Sequence, residues 1–336
     1  VFKNLTVYRV GPEWQAELTE VEDKLQKHRF IACGASQPMS MGWVEPRGQA
    51  HGPLVESVAG QWIFKLMIEK KMLPGSVVKR ALDERMKKIE QETGRKPGRK
   101  QGKELKEELM LELLPKAFTR QDAVSVWWSP EHRMLFVNAG SQGRADEVVG
   151  ALVEALGGLP VALLHTATSA AVAMAAWLTE GAAPAGFTID RECELKSSDD
   201  MKASVRYARH ALDIDEVRQH ITEGKMPTRL ALTWEERVSF VLTDTFLIKK
   251  LEYLDGVFEG RTQADEGFDA DVAIATGELS QLLPDLVEAL GGEQPLQGGA
   301  SVATASPSSH IAAAPAGPVQ ALAPASVDDS TPPWEA

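Results

Sequence analysis

The hydrophobic pattern changes period several times along the chain, and each change marks an element. The opening FKNLTVYRV is rich in β-branched and aromatic residues and predicts a strand. Glu17 to His28 then predicts a helix, with Leu18, Val21 and Leu25 on one stripe, ahead of a short segment around Phe30 to Cys33. Alternation over Gln61 to Met67 predicts another strand. From Pro74 the period becomes helical. Val78, Leu82, Met86 and Ile89 recur on one side, Ser76 is the expected N-cap, and Lys79, Arg80, Lys87 and Lys88 fall mostly off the stripe. GRKPGRKQG interrupts this helix with three glycines and Pro97. A second helix follows, with Leu105, Leu109 and Leu113 as its stripe, ending at Pro115. The expected product is a helical hairpin with a basic tip.

Two strands are then expected, AVSVWW (123–128) and MLFVNA (134–139), joined by SPEHR and followed by the helix DEVVGALVEALGG. The heptapeptide LVEALGG occurs at 152–158 and again at 286–292, each copy behind an apolar segment read as a strand, MLFVNA and DVAIAT. One reading makes these two related strand-helix halves, with Gly157 and Gly291 as helix C-caps; the other is chance similarity between two Leu/Ala-rich helices. Between the copies the pattern predicts helices over Ala170 to Glu180 and Asp213 to Gly224, the segment GFTIDRECELKS, and strands TRLALTW and RVSFVLTD. The Ala-, Pro- and Ser-rich stretch near Gln294 and beyond is expected to be disordered, because it offers too little apolar surface to offset ordering. Its ending, DDSTPPWEA with Trp334, reads as a solvated tail or a partner-docking peptide.

The expected fold class is α+β, mixed sheets and helices with a projecting helical hairpin. Its expected divisions are residues 1–72 as the N-terminal part of the core, 73–121 as the basic hairpin, 122–293 as the rest of the core, and 294–336 as the tail. At 336 residues the chain is long enough for a substantial core. No apolar run approaches the roughly 18 residues of a membrane span, and the first residues lack a signal peptide's apolar segment, so a cytoplasmic location is expected. Cys33 and Cys193 form no CxxC pair and are both expected to be buried small hydrophobes.

Charge alters this bland picture. The net charge is -12, yet residues 65–120 carry 16 Lys or Arg against 9 Asp or Glu, a net of +7. The rest of the chain holds 20 against 39. Such segregation gives an acidic protein one local basic field, suited to phosphates, although a solvated helical face would show the same pattern. Glu104, Glu107, Glu108 and Glu112 keep the second helix from being uniformly basic. Catalytic signatures are sparse. No GxxxxGK[ST] phosphate loop, GxSxG elbow or HExxH is present, and no metal or cofactor is expected. The carboxylates worth weighing are Asp269 and Asp271, and the set Asp190, Glu194 and Lys196, which faintly resembles the acid-acid-lysine group of metal-dependent nucleases. A solvent-exposed role is the competing reading for the first pair, and the second set is too compressed to assign roles.

The residues LLPKAFTR (113–120) resemble a signature of the RdgC family, the bacterial recombination-associated proteins. The resemblance continues through FKNLTVYR at the start, MGWV (41–44), LPGSVVKRAL (73–82), GFTID and ECELKS (186–197), HITEGK (220–225), LALTWEERVSFVL (230–242) and FDADVAIATGEL (268–279). It implies a non-enzymatic protein that forms a ring-shaped homodimer around double-stranded DNA, binds with little sequence preference and antagonises the RecA recombinase. A nucleoid-associated location goes with that role. Within the signature stand Lys116, Phe118 and Arg120. Phe118 is either core at a helix end or a wedge or dimer contact. Arg209 and His210 align with a polar stretch at a ring-closing contact, His210 standing where an amide is expected. Candidate DNA contacts are Lys79, Arg80, Lys87, Lys88, Lys116 and Arg120. The alternatives carried forward are a metal-dependent nuclease using Asp269, Asp271 or Glu194, and a module that contacts RecA directly.

Overall fold

A computed structural model describes residues 2–15, 17–199, 202–257 and 267–294. In chain order the elements are β1 (Thr6–Val10), α1 (Leu18–Gln26), β2 (Met39–Val44), β3 (Glu56–Val58), β4 (Gln61–Met72), α2 (Gly75–Thr93), α3 (Arg99–Leu113), β5 (Phe118–Ser129), β6 (Met134–Val137) and α4 (Gln142–Leu156). They continue with β7 (Val161–Leu163), α5 (Ala170–Glu180), β8 (Phe187–Ser197), β9 (Ser204–Ala208), α6 (Asp215–Thr222), β10 (Lys225–Trp234), β11 (Val238–Thr243), β12 (Ile248–Tyr253) and α7 (Phe268–Ala289). The fold is therefore mixed, with two sheets and several helices. No helix among the described residues is long and apolar enough to cross a membrane.

The first sheet runs β2-β4-β5-β6-β1-β7, with β3 also pairing to β4. Its period-two pattern sends alternate residues to two apolar layers. Tyr8, Phe64, Leu66, Val126, Trp128 and Leu135 face a layer completed by Val21 and Leu25 of α1 and Val148 and Leu152 of α4. Val7, Ile63, Trp127 and Phe136 join the opposite layer with α5, α7 and the second sheet, ordered β12-β11-β10-β8-β9. Trp127 and Phe136 stack there with ring centroids 4.0 Å apart. A short bridge ties the sheets: Leu5 N–H donates to Ile248 O (2.8 Å) and Ile248 N–H to Leu5 O (3.1 Å). At the ends of α7, Arg47 pairs with Asp269, and Arg9 pairs with Glu293 just beyond the helix.

Several sequence expectations need correction. DVAIAT is not a strand. It lies inside α7, where Val272, Ala275, Leu279, Leu282, Leu283 and Leu286 are buried at helical spacing. The heptapeptide repeat therefore does not extend to two strand-helix halves. What the copies share is a helix ending: Gly157 and Gly291 both have positive φ (73° and 81°) and both donate to the carbonyl of the repeat's Glu, while Gly158 and Gly292 donate to that of its Val. Ser76 is not a cap, since α2 begins at Gly75 with Pro74 before it and no capping side chain. Cys193 is buried as expected, its thiol pushed up to about 12 by desolvation and then by Glu194, whereas Cys33 is only half-buried. The tail expectation falls on residues 295–336, outside the described residues.

Candidate nucleic-acid interface

The hairpin grows out of the longest strand pair among the described residues. β4 and β5 run antiparallel in unbroken register from Trp62↔Trp128 to Met72↔Phe118, and α2 and α3 fill the connection between those last two residues. Along one face of this ribbon, buried Phe64, Leu66 and Ile68 give way to exposed Lys70 and Met72, facing Arg120 and Phe118 of β5. The two strands thus leave the core and become a polar stalk. Lys71 fixes the base of the hairpin by donating from Nζ to Leu114 O (3.0 Å) and Ala35 O (2.6 Å).

The helices themselves bury little. Val78 is the one fully buried side chain of α2 and Leu109 that of α3, with Leu82, Met86, Ile89, Leu105 and Leu113 half-buried between them. Such a thin seam leaves most of the hairpin surface in water. On α2 the exposed Arg80 and Lys87 fall opposite the seam, with Lys79 and Lys88 at its flanks. Lys88 is 4.0 Å from Glu92, and Arg85 is 3.8 Å from Glu112 across the hairpin. All of these groups are exposed, so the pairs add little to stability.

Lys116 is exposed in the 3-10 turn Leu114–Lys116. Phe118 and Arg120 do not end a helix, as the LLP segment suggests, but open β5. Phe118 is 87% exposed, so its core reading is excluded within the chain, and its cross-strand neighbour Met72 is 49% exposed. Arg120 donates to Asp122 at 3.2 Å. Lys70, Lys71 and Met72 belong to the same end of the ribbon, because β4 runs on past the expected end at Met67 through IEKKM, the signal for these residues in the sequence.

Arg209 and His210 sit elsewhere, just after β9 at the edge of the second sheet. Both are exposed, and Arg209 adopts φ 56°, a conformation that few residues other than Gly, Asn and Asp take up readily. His210 N–H donates to Arg191 O (3.2 Å), its ring lies 5.9 Å from Tyr207, and its Nδ1 is 2.7 Å from Ala211 O.

The carboxylates weighed for catalysis are divided among other partners. Asp269 and Asp271 occupy the first turn of α7, and Asp269 accepts from Arg47. On β8, Asp190 accepts from Thr233 at 2.9 Å and Glu194 lies 3.6 Å from Arg229. Among the described residues, no three His, Cys, Asp or Glu side chains converge as a metal-binding group.

Comparison with known proteins agrees with the sequence resemblance. Residues 1–293 match the family described as "Putative exonuclease, RdgC". The "Recombination-associated protein RdgC" of Dechloromonas aromatica (strain RCB) is 48% identical over 299 residues, covering 87% of this chain and 98% of that protein. Proteins of the same name from Cupriavidus pinatubonensis and Bordetella pertussis are 46% and 41% identical over 297 residues, each covering 87% of this chain and 99% of the relative. With most of its length matched, the chain belongs to the RdgC family.

Proposed function

We propose that this protein is a non-enzymatic binder of double-stranded DNA that encircles the duplex as a ring-shaped homodimer and so restrains RecA-mediated recombination. The observation that carries the reading is the projecting hairpin, whose cations are exposed on a chain that is acidic elsewhere. Lys79, Arg80, Lys87, Lys88, Lys116 and Arg120 are its proposed phosphate contacts. Phosphate neutralisation gives affinity without base readout, and the acidic remainder limits adhesion of DNA to other surfaces. Phe118 is the proposed wedge or dimer contact, supported by its near-complete exposure beside Met72, and Arg209 with His210 is a second proposed contact on the other sheet. The role suits a protein acting at the nucleoid in the cytoplasm.

The test is binding to labelled duplexes of two unrelated sequences. The variant Lys87→Glu/Lys88→Glu/Lys116→Glu/Arg120→Glu is expected to lose affinity roughly tenfold or more, equally on both sequences. Unchanged affinity would remove these cations from the interface. The family's description keeps an exonuclease as the second reading, with Glu194, Asp269 and Asp271 as its carboxylates. Incubating end-labelled duplex with the protein and magnesium or manganese separates the two, since release of nucleotides would replace the non-enzymatic assignment. RecA inhibition that survives loss of DNA binding would instead favour direct contact with the recombinase.

A further inference from the structure

The turn between α2 and α3 holds a charge cluster that the contacts proposed above do not include. Residues 94–103 contain Arg95, Lys96, Arg99, Lys100 and Lys103 and no acid. Lys103 lies 3.9 Å from Glu107. Arg95, Lys96, Arg99 and Lys100 are all exposed, and among the described residues none lies within ion-pair distance of a carboxylate. Lys88 and Arg120, by contrast, each have an acidic neighbour.

The cluster is held in a defined turn. Gly94 ends α2 in the left-handed region (φ 68°) and donates to Glu90 O at 2.8 Å. The Thr93 hydroxyl donates to Ile89 O (2.7 Å) and accepts from Arg95 N–H (3.4 Å), while Pro97, between the exposed pairs Arg95–Lys96 and Arg99–Lys100 in sequence, is buried. A fixed turn spares these side chains part of the ordering cost of binding. The arrangement is also unfavourable to the free protein. Arg99 and Lys100 occupy the first turn of α3, where the helix dipole favours acids, and no acid is present there. Stability alone would not select like charges packed at the positive end of a helix. A local rule broken in this way marks a functional surface.

We infer that Arg95, Lys96, Arg99 and Lys100 form the principal phosphate-contacting site of the hairpin, gripping the backbone of duplex DNA. Their free charges release counterions without first breaking an internal ion pair. This inference rests on the duplex-binding reading and sharpens it by placing the hairpin's main contact at its tip, ahead of the face of α2 and the base of the hairpin.

The experiment compares the full chain with Arg95→Gln/Lys96→Gln/Arg99→Gln/Lys100→Gln on one labelled duplex across a salt series. Each lost phosphate contact lowers the slope of log affinity against log salt by about 0.9, so the variant is expected to be shallower by roughly 3 to 4. A charge-preserving variant, Arg95→Lys/Lys96→Arg/Arg99→Lys/Lys100→Arg, is expected to retain the original slope. Matching thermal melts establish that all three proteins are equally folded. If the glutamine variant keeps the original slope, the tip assignment is overturned while duplex binding stands. If the charge-preserving variant loses it, charge is not the cause and the assignment also falls. Absence of salt-dependent binding by the unaltered protein would overturn the duplex-binding reading itself, and the tip with it.

Discussion

Glu192 on β8 receives Lys250 Nζ on both carboxylate oxygens, at 2.8 Å each, and Arg206 on one of them at 3.1 Å. The Lys250 hydrogen bond is the main reason this carboxyl lies below its ordinary 4.5, and partial desolvation opposes it. A carboxyl more acidic in the folded than in the unfolded chain stabilises the fold fully above its unfolded value. That contribution drains away as the pH falls through the folded value. Glu192→Gln should therefore show a flatter decline of melting temperature below pH ~4.5 than the unaltered protein, with the two curves converging at lower pH. Parallel curves down to acid denaturation would mean that the contact contributes nothing to stability. Glu192 lies opposite Ala208, one residue before Arg209, so the same titration reports on the strand edge that supports the proposed second contact.

Identical residues in different surroundings separate backbone preference from packing at the level of the helix. Gly157 and Gly291 end α4 and α7 with the same cap geometry, yet a Cβ at Gly157 would meet open space, whereas one at Gly291 would come within 3.1 Å of Thr168 Oγ1. Gly157→Ala should cost about 1 kcal/mol, the penalty of a left-handed residue with a Cβ, and Gly291→Ala measurably more. Equal losses in urea unfolding would show that Thr168 yields freely. Both glycines were legible in the sequence, as were the hairpin, β1, α1, α5 and the apolar stripes, because each has a clean period, and Gly11, Gly94 and Gly181 mark the ends of β1, α2 and α5. DVAIAT reads as a strand for a physical reason: six residues of small and β-branched type fit either period, and only the longer run through LVEAL, with Pro284 inside it, shows one helix. The core alternative for Phe118 came from the Leu-Leu-Pro step, which reads as a helix end, whereas the register that makes it the exposed start of β5 is set by β4, some fifty residues away. Pairing between distant segments leaves little trace in a local pattern.

At the scale of the molecule, salt slopes and encirclement are separable properties. A basic tip alone makes a binder whose residence on DNA ends when counterions return, whatever the topology of the DNA. A dimer joined at two contacts, one proposed through Phe118 and one through Arg209 and His210, would add a mechanical constraint that salt does not remove. Phe118 is an exposed apolar side chain, and association through burial of such a group at the proposed contact would not be screened as phosphate contacts are. The protein should accordingly be loaded at low salt onto matched circular and linear plasmids and then washed at about 0.5 M salt, where the Debye length is well under 10 Å. The ring reading expects retention on the circle and loss from the line through its free ends, with retention on the circle falling in Phe118→Ala. Equal loss from both DNAs would leave the hairpin as an open electrostatic clamp. Equal retention on both would point to strong non-ionic contacts with DNA in place of encirclement.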